Sequence, residues 1–273
     1  MAIPSELPRL FATDLDGTLL RRDGSISERT RRALARARGA GIQLVMVTGR
    51  PARHVAKIDG VAELGGVVIC MNGALIYDLE HALVVREERL TALHARELIG
   101  ELRAQLPGIC FAVEVGLDYG WEPSYGLQRK GRETPPLPMT DALELCENGV
   151  NKLIARHAQR SIEDLLGCSR DLLEGRARVS YSGAPFLEIS ALAVSKASAL
   201  AGYCAERSVD RRLVVSFGDM PNDLPMLEWA GHSVAMGNAH PSVLEATAEV
   251  TLSNEEDGVA IVVERFLDRA PPA

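Results

Sequence analysis

The sequence predicts an α/β protein in which a parallel sheet is covered by helices on both faces and interrupted by an inserted α+β unit. Three observations carry that expectation. Short apolar runs alternate with helical stretches at both ends of the chain, the rhythm of parallel strands joined by crossover helices. Polar and acidic residues gather where those runs stop, the edge at which open α/β sheets bind ligands. The middle of the chain loses the rhythm and reads as strands and helices with short, antiparallel connections.

Taken in order, Leu10-Phe11-Ala12-Thr13 is an apolar run that reads as a buried strand, and Asp14-Leu15-Asp16-Gly17-Thr18-Leu19 follows where it stops. Ser25 to Ala40 is helical, with Ser25 and Glu28 at capping-box spacing or Ser27 as a later cap. Ile42 to Val47 is a buried strand ending in Thr48-Gly49-Arg50, and Pro51 opens the next helix in its first turn. Val67 to Cys70 is a further strand, followed by Met71-Asn72-Gly73. Leu83 to Leu90 is extended. Thr91 to Leu106 is an amphipathic helix with Leu98, Leu102 and Leu106 on one stripe. Ile109 to Val115 is a strand, and Gln128 to Pro138 a charged, proline-rich loop. Val150 to Arg156 is a strand, Ser161 to Leu173 a helix stopped by Gly175, and Ala177 to Ser182 and Phe186 to Ser190 are strands. The α/β rhythm then resumes. Lys196 to Arg207 is helical, and Leu213 to Phe217 is a strand ending in Gly218-Asp219. A helix through Leu227 stops near Gly231, Ser233 to Met236 and Val250 to Leu252 are short strands, and Asp257 to Leu267 is a terminal helix. The expected division is a core of residues 1–82 and 191–273 with an insertion of residues 83–190.

Composition narrows the function. The 273 residues allow about two domains. With 47% hydrophobic and 25% charged residues the balance is that of a globular protein. The net charge of −7 makes nucleic acid and anionic membranes unexpected partners. No apolar run approaches the ~20 residues of a membrane helix, and the first residues carry no leader pattern. The five cysteines are scattered, with no CxxC spacing, and read as buried thiols of a reducing compartment. A cytoplasmic location is the expectation.

The acidic stretches carry the chemistry. Asp14 and Asp16 are two residues apart at a strand end, and Gly17 permits the dihedrals of a turn. Two acids so close repel, so a hard divalent cation is one way to offset them; an Asp–Gly turn that merely bonds its own backbone is the other. Thr48, Lys196 and Asp219 with Asn222 and Asp223 also end or flank core elements. Each has a plain alternative: Thr48-Gly49 as a strand-end turn, Lys196 as a solvated helix residue, Asp219 and Asn222 as helix caps, and Arg50 as a structural or shielding residue. Gathered at one sheet edge, four carboxylates with a single lysine would need a metal. Oxygen ligands without Cys or His favour Mg²⁺ over Zn²⁺. A metal, a lysine and a hydroxyl around a nucleophilic carboxylate suit phosphoryl transfer.

In this order, DLDGT at 14–18, TGR at 48–50, Lys196 and GDMPND at 218–223 resemble the haloacid dehalogenase (HAD) superfamily. Asn72-Gly73, Met236-Gly237-Asn238-Ala239 and the stretch from Ser253 to Ala260 are similar to its Cof-type branch, which inserts its cap where this chain carries residues 83–190. The resemblance implies a Rossmann-like core and a set of roles. Asp14 would be the nucleophile that forms an aspartyl-phosphate. Asp16 would be general acid and then general base, with its backbone carbonyl on Mg²⁺. Thr48 would bond the transferring phosphoryl group, beside Gly49, and Lys196 would neutralise it and hold Asp14. Asp219 and Asp223 would bind Mg²⁺, and Asn222 would contact phosphate or orient the metal's surroundings. The Leu15 and Gly17 amides would complete the phosphate cradle. Two departures stand out: Ala193 and Ala197 replace the glycines common near the lysine, and Met220-Pro221 separates the acids of the last motif. Asn72 is a candidate substrate contact, as are Glu114, Trp121 and Arg129 in the insertion.

The expected function is a Mg²⁺-dependent phosphatase acting on a small phosphorylated metabolite, such as a sugar or cofactor phosphate. The alternatives are a phosphomutase of the same fold and a non-catalytic sensor of phosphorylated metabolites.

Overall fold

The computed structural model describes residues 6–126, 135–181 and 184–269. The Arg129 candidate and most of the Gln128 to Pro138 loop lie outside these residues. Two compact units divide the chain: Met1–Val85 with Ser195–Ala273, and Arg86–Val194.

In the first unit β1 (Leu10–Thr13) is buried along its whole length. Ser27, rather than Ser25, caps the helix Glu28–Gly39, its side chain accepting from the Thr30 amide. Ser25 is instead occupied by Asp23, which accepts from its amide and hydroxyl in the preceding turn. Next come β2 (Gln43–Val47), β3 (Val67–Cys70), β4 (Leu75–Asp78) and β5 (Leu83–Glu87). Pro51 stands at the N-cap of a one-turn helix, Ala52–Val55, and not inside its first turn. The second unit contributes β6 (Ile109–Val115), β7 (Asp118–Trp121), β8 (Lys152–His157), β9 (Ala177–Ser180) and β10 (Leu187–Ala191). The chain then returns to β11 (Val214–Gly218), β12 (His232–Ala235) and β13 (Glu249–Val250).

The larger sheet runs β13-β12-β11-β1-β2-β3-β4-β5. It is parallel from β13 to β3 and turns antiparallel at β4. That reversal is absent from the sequence reading. Met71, Asn72 and Gly73 all take positive φ (53°, 57° and 114°) and fold the chain back within a few residues. Alternation along β1 sends side chains to both faces. Leu10 and Ala12 pack with Val45, Val47, Ile69 and, on the helix Lys196–Glu206, Leu200 and Cys204. Phe11 meets Phe217 and Phe266, each with ring centroids 6.1 Å away; Phe266 lies on the terminal helix Gly258–Leu267. A strand covered on both faces has no use for polar side chains, which is why the run reads as continuously apolar.

The second sheet, β7-β6-β8-β10-β9, is antiparallel throughout. Phe111, Val113, Leu153, Leu187 and Ile189 bury against Leu98 and Leu102 of helix Ala92–Gln105 and Leu165 of helix Ile162–Leu172. β8 begins at Lys152 because Val150 is bridged to Leu90 instead. The units part a few residues later than the expected 82/83 and 190/191: the first half of β5 stays in the larger sheet, and Ser195 caps the returning helix. Among the described residues no helix is long and apolar enough to cross a membrane.

Candidate active site

Register brings the site together. Thr13 pairs with Met46 of β2 on one side and with Phe217 of β11 on the other. The residues that follow each strand therefore leave the sheet at one edge, and Asp14, Thr48 and Asp219 are among them. The Asp14 amide still bonds the Phe217 carbonyl (3.1 Å), so its backbone is fixed while its side chain is free to project. The chain then turns, with the Thr18 and Leu20 amides both donating to the Leu15 carbonyl. Gly17 has φ +81°, and a Cβ there would overlap the Asp219 carboxylate. Only glycine allows that approach. Leu15 is fully buried in the core, which leaves its backbone as the part that can serve the site.

Lys196 opens the helix Lys196–Glu206, whose N-cap Ser195 forms a capping box with Ser198. Its Nζ donates to Asp14 Oδ1 and to Asp223 Oδ1, each at 2.5 Å. Asp223 ends the short turn that Pro221 opens. Its other oxygen accepts from the Asp219 and Met220 amides at 3.1 and 3.0 Å. Gly218 lets it come this close, because a Cβ there would overlap the Asp223 side chain. Asp219 accepts from the Thr18 hydroxyl at 2.8 Å. Asp14, Asp219 and Asp223 are all buried, and each offers an oxygen within 4.8 Å of the others.

Three buried carboxylates against one ammonium leave excess negative charge. Burial pushes the Asp14 carboxyl well above its ordinary value, with Asp223 and Asp219 adding to the rise and Lys196 opposing it. Burial likewise pushes Asp219 up to about 6, against the Thr18 hydrogen bond. Lys196 is held protonated, its pKa raised by Asp14 and Asp223 against a desolvation penalty that pulls it down.

Asp16 departs from the expected group of four. Its carboxylate turns away from the buried trio and pairs with Arg50, whose Nε donates to Oδ2 at 2.7 Å while Nη2 donates to Oδ1. The turn after β1 splits the two acids: Asp14 points into the site and Asp16 towards solvent, with its side chain 55% exposed.

The Thr48 loop is stitched to the Met71–Gly73 turn. The Thr48 carbonyl accepts from the Asn72 amide (2.9 Å) and the Arg50 carbonyl from the Met71 amide (3.0 Å). A Cβ on Gly49 would sit 3.3 Å from Asn72 Oδ1, so the two loops touch. Asn222 Nδ2 donates to Asn72 Oδ1 at 3.4 Å, joining this pair of loops to the last motif. Non-glycine residues at positive φ, as at Met71 and Asn72, store strain that clusters at functional sites.

Glu114 and Trp121 belong to the second unit. Glu114 is buried on β6 opposite Lys152. Trp121 packs with Cys110, Ala112 and Tyr125, with its ring centroid 5.5 Å from that of Tyr119; it is part of a small core on that face of the sheet. Two residues in the Cof-like stretches prove structural to the site without having been assigned a role. Asn238 Nδ2 donates to the Gly17 carbonyl (2.8 Å) and its Oδ1 accepts from the Asn254 amide. Asn254 Nδ2 donates to the Leu20 carbonyl (2.8 Å). Together they brace the Asp14–Leu20 turn from outside. The signal in the sequence was only their place in the two Cof-like stretches, Met236 to Ala239 and Ser253 to Ala260.

Fold and centre together define a class: α/β proteins with an acidic, lysine-neutralised centre at the carboxyl ends of the central parallel strands. The chain belongs to the haloacid dehalogenase-like hydrolases, whose family model matches residues 11–263. It is 30% identical over 267 residues to the 5-amino-6-(5-phospho-D-ribitylamino)uracil phosphatase YitU of Bacillus subtilis, covering 95% of this chain and 96% of that protein. It is 29% identical over 272 residues to the pyridoxal phosphate phosphatase YbhA of Escherichia coli, covering 92% and 96%. The crystal structure of a haloacid dehalogenase-like hydrolase from Bacteroides thetaiotaomicron matches it with a TM-score of 0.73 at 28% identity, covering 95% and 99%.

Proposed function

We propose that this protein is a Mg²⁺-dependent phosphatase that hydrolyses a small phosphorylated metabolite through an aspartyl-phosphate on Asp14. The observation that carries the reading is the buried ammonium of Lys196 bonded to Asp14 and Asp223 within an acidic trio. A buried carboxylate at a strand end, held by a cation and fixed through its backbone, is placed to act as a nucleophile.

The donor set fits a hard divalent cation. The trio offers oxygen alone, and burial, with repulsion among the acids, raises Asp14 and Asp219 above their ordinary values. Asp14, Asp219 and Asp223, with the Asp16 carbonyl, would hold Mg²⁺. When bound, the ion supplies charge that offsets the phosphoryl oxygens and favours ionised Asp14.

The chain's own residues account for the rest. An Asp14 oxygen attacks phosphorus and the bond to the leaving oxygen breaks, while Asp16 gives that oxygen a proton. Asp16 then takes a proton from water as the water attacks phosphorus, which frees Asp14 and releases phosphate. The Thr48 hydroxyl, the Leu15 and Gly17 amides and Asn222 hold the phosphoryl oxygens, with Gly49 keeping the loop close. Lys196 balances charge throughout. Residues 86–194 would serve as the cap that sets substrate choice, with Glu114 and Asn72 as candidate contacts. The substrate class follows the relatives, whose names specify a phosphorylated ribitylamino-uracil and pyridoxal phosphate. A sugar phosphate or cofactor phosphate is the expected substrate.

Activity should vanish in EDTA and return with Mg²⁺. Without a cation Asp219 keeps its proton up to about pH 6, so protons compete with the metal below that pH. The Mg²⁺ concentration for half-maximal activity should therefore climb as pH falls through 6, by up to about tenfold per pH unit. Full activity in chelator, or restoration by Zn²⁺ alone, would contradict the metal assignment. Transfer of phosphate to a second hydroxyl without free phosphate would mark a mutase, and binding with neither outcome a sensor.

A further inference from the structure

We propose that Arg50 is a positioning residue for Asp16, holding its carboxylate through one guanidinium bond while the other oxygen carries the proton of the reaction. The inference rests on the acid–base role proposed above for Asp16.

The geometry is specific. Arg50 reaches Asp16 with two parallel donors, Nε to Oδ2 and Nη2 to Oδ1, a fork that fixes the plane of a carboxylate and not merely its distance. Among the described residues no other side chain bonds that carboxylate. The fork is itself anchored. The Arg50 amide donates to the Thr48 hydroxyl (3.1 Å), and its carbonyl accepts from Met71, the first of three consecutive residues at positive φ. A strained turn thus aims Arg50, and Arg50 aims Asp16. Stability is a poor explanation for the pair. Its side chains are 35% and 55% exposed, and ion pairs so exposed contribute little to folding.

Each Asp16 oxygen accepts one guanidinium bond and keeps a second lone pair. Turning one oxygen towards the leaving group means giving up its guanidinium bond while the other is kept. The freed oxygen then carries the proton that passes to the leaving oxygen as its bond to phosphorus breaks. Later the same oxygen receives a proton from the water that attacks phosphorus. The retained Arg50 bond keeps the carboxylate in one orientation through both transfers. Without it, Asp16 is a side chain free to rotate on an exposed turn, and misplaced catalytic groups lose rate steeply.

The test uses kcat/KM, which reports the first phosphoryl transfer, across aryl and alkyl phosphates whose leaving groups range from p-nitrophenolate to an alkoxide. Wild type, Arg50→Met, Arg50→Lys, Asp16→Asn and the Asp16→Asn/Arg50→Met double variant are compared. Arg50→Met should lose roughly 10- to 100-fold on alkyl esters and only a few-fold on p-nitrophenyl phosphate. Arg50→Lys, with a single point of attachment, should recover much of the loss and also guards against a folding defect in the methionine variant. The double variant should be no slower than Asp16→Asn alone. Three results would overturn the assignment of Arg50: an equal loss on every ester, a rise in KM with kcat unchanged, or additive losses in the double variant. If Asp16→Asn itself showed no dependence on the leaving group, the acid role beneath the inference would fall instead.

Discussion

Asp14→Asn is expected to abolish turnover of every phosphate ester, by at least about 10⁴-fold, because removing a covalent nucleophile removes the pathway itself. The substitution is isosteric, so the Asp14 backbone bond to Phe217 and the surrounding packing should survive. Its effect on stability should have the opposite sign to its effect on activity. The Asp14 carboxyl is raised above its ordinary value by burial and by its acidic neighbours. A carboxyl whose folded pKa lies above its unfolded one makes the folded state bind more protons. Stability then falls as pH rises from the unfolded pKa through the folded one. Asparagine removes that fall. In EDTA at neutral pH the variant should melt no lower than wild type, while Lys196 keeps Asp223 as a partner. Thermal melts across pH with parallel phosphate-release assays check both halves.

Lys196→Met should be nearly as damaging to activity and far more damaging to the metal-free fold. Lys196 is 3% exposed and is the ammonium that Asp14 and Asp223 share. Breaking a buried pair by removing one partner strands the other, at a cost of about 3–5 kcal/mol. The pH dependence follows from the sign of the shift. The lysine's pKa is raised in the folded state, so its contribution is fully present at neutral pH and is lost only in strong alkali. The deficit of the variant should therefore be large at pH 7 without cation. It should shrink in acid, where the stranded carboxylates protonate, and with Mg²⁺, which returns positive charge to the trio. A melt showing the same small loss at all pH values and metal concentrations would mean that Lys196 is not the counter-charge. Turnover should fall by roughly 10²-fold or more, as for loss of a preorganised charge at the transferring group.

What could be read in advance divides along physical lines. Leu10–Thr13, Gln43–Val47, Val67–Cys70 and Val214–Gly218 were legible because strands buried on both faces are mostly apolar, with only Thr13, Gln43 and Ser216 as exceptions here. Once those strands lie parallel in register, the polar residues at their ends share an edge, and Asp14, Thr48 and Asp219 could be grouped without a structure. The strand Leu75–Asp78 was missed although Asn72-Gly73 is a turn signal; what residue type does not announce is Met71 joining that turn at positive φ. The turning of Asp16 towards Arg50 was not legible either. Spacing alone places two acids side by side, while the dihedrals at Leu15 to Gly17 decide that they part. Asn238 and Asn254 act through main-chain carbonyls more than two hundred positions away in sequence, a pairing that no local pattern encodes. In the second unit the strands were read from short apolar runs, but Trp121 reads as a potential contact in sequence and packs as core beside Tyr119 and Tyr125.

Covalent capture of phosphate by Asp14 is the step on which the mechanism depends, and Asp16→Asn exposes it. With p-nitrophenyl phosphate the leaving group needs little help from an acid, so the first transfer should proceed. The second lacks its base, and the phospho-enzyme should accumulate. Rapid-quench kinetics on this variant should give a fast release of about one p-nitrophenolate per site followed by a slow steady rate. Mass analysis of the quenched protein should place one phosphate on Asp14. A phosphate found on another residue, or a variant that turns over slowly with no covalent species at any time, would contradict the mechanism.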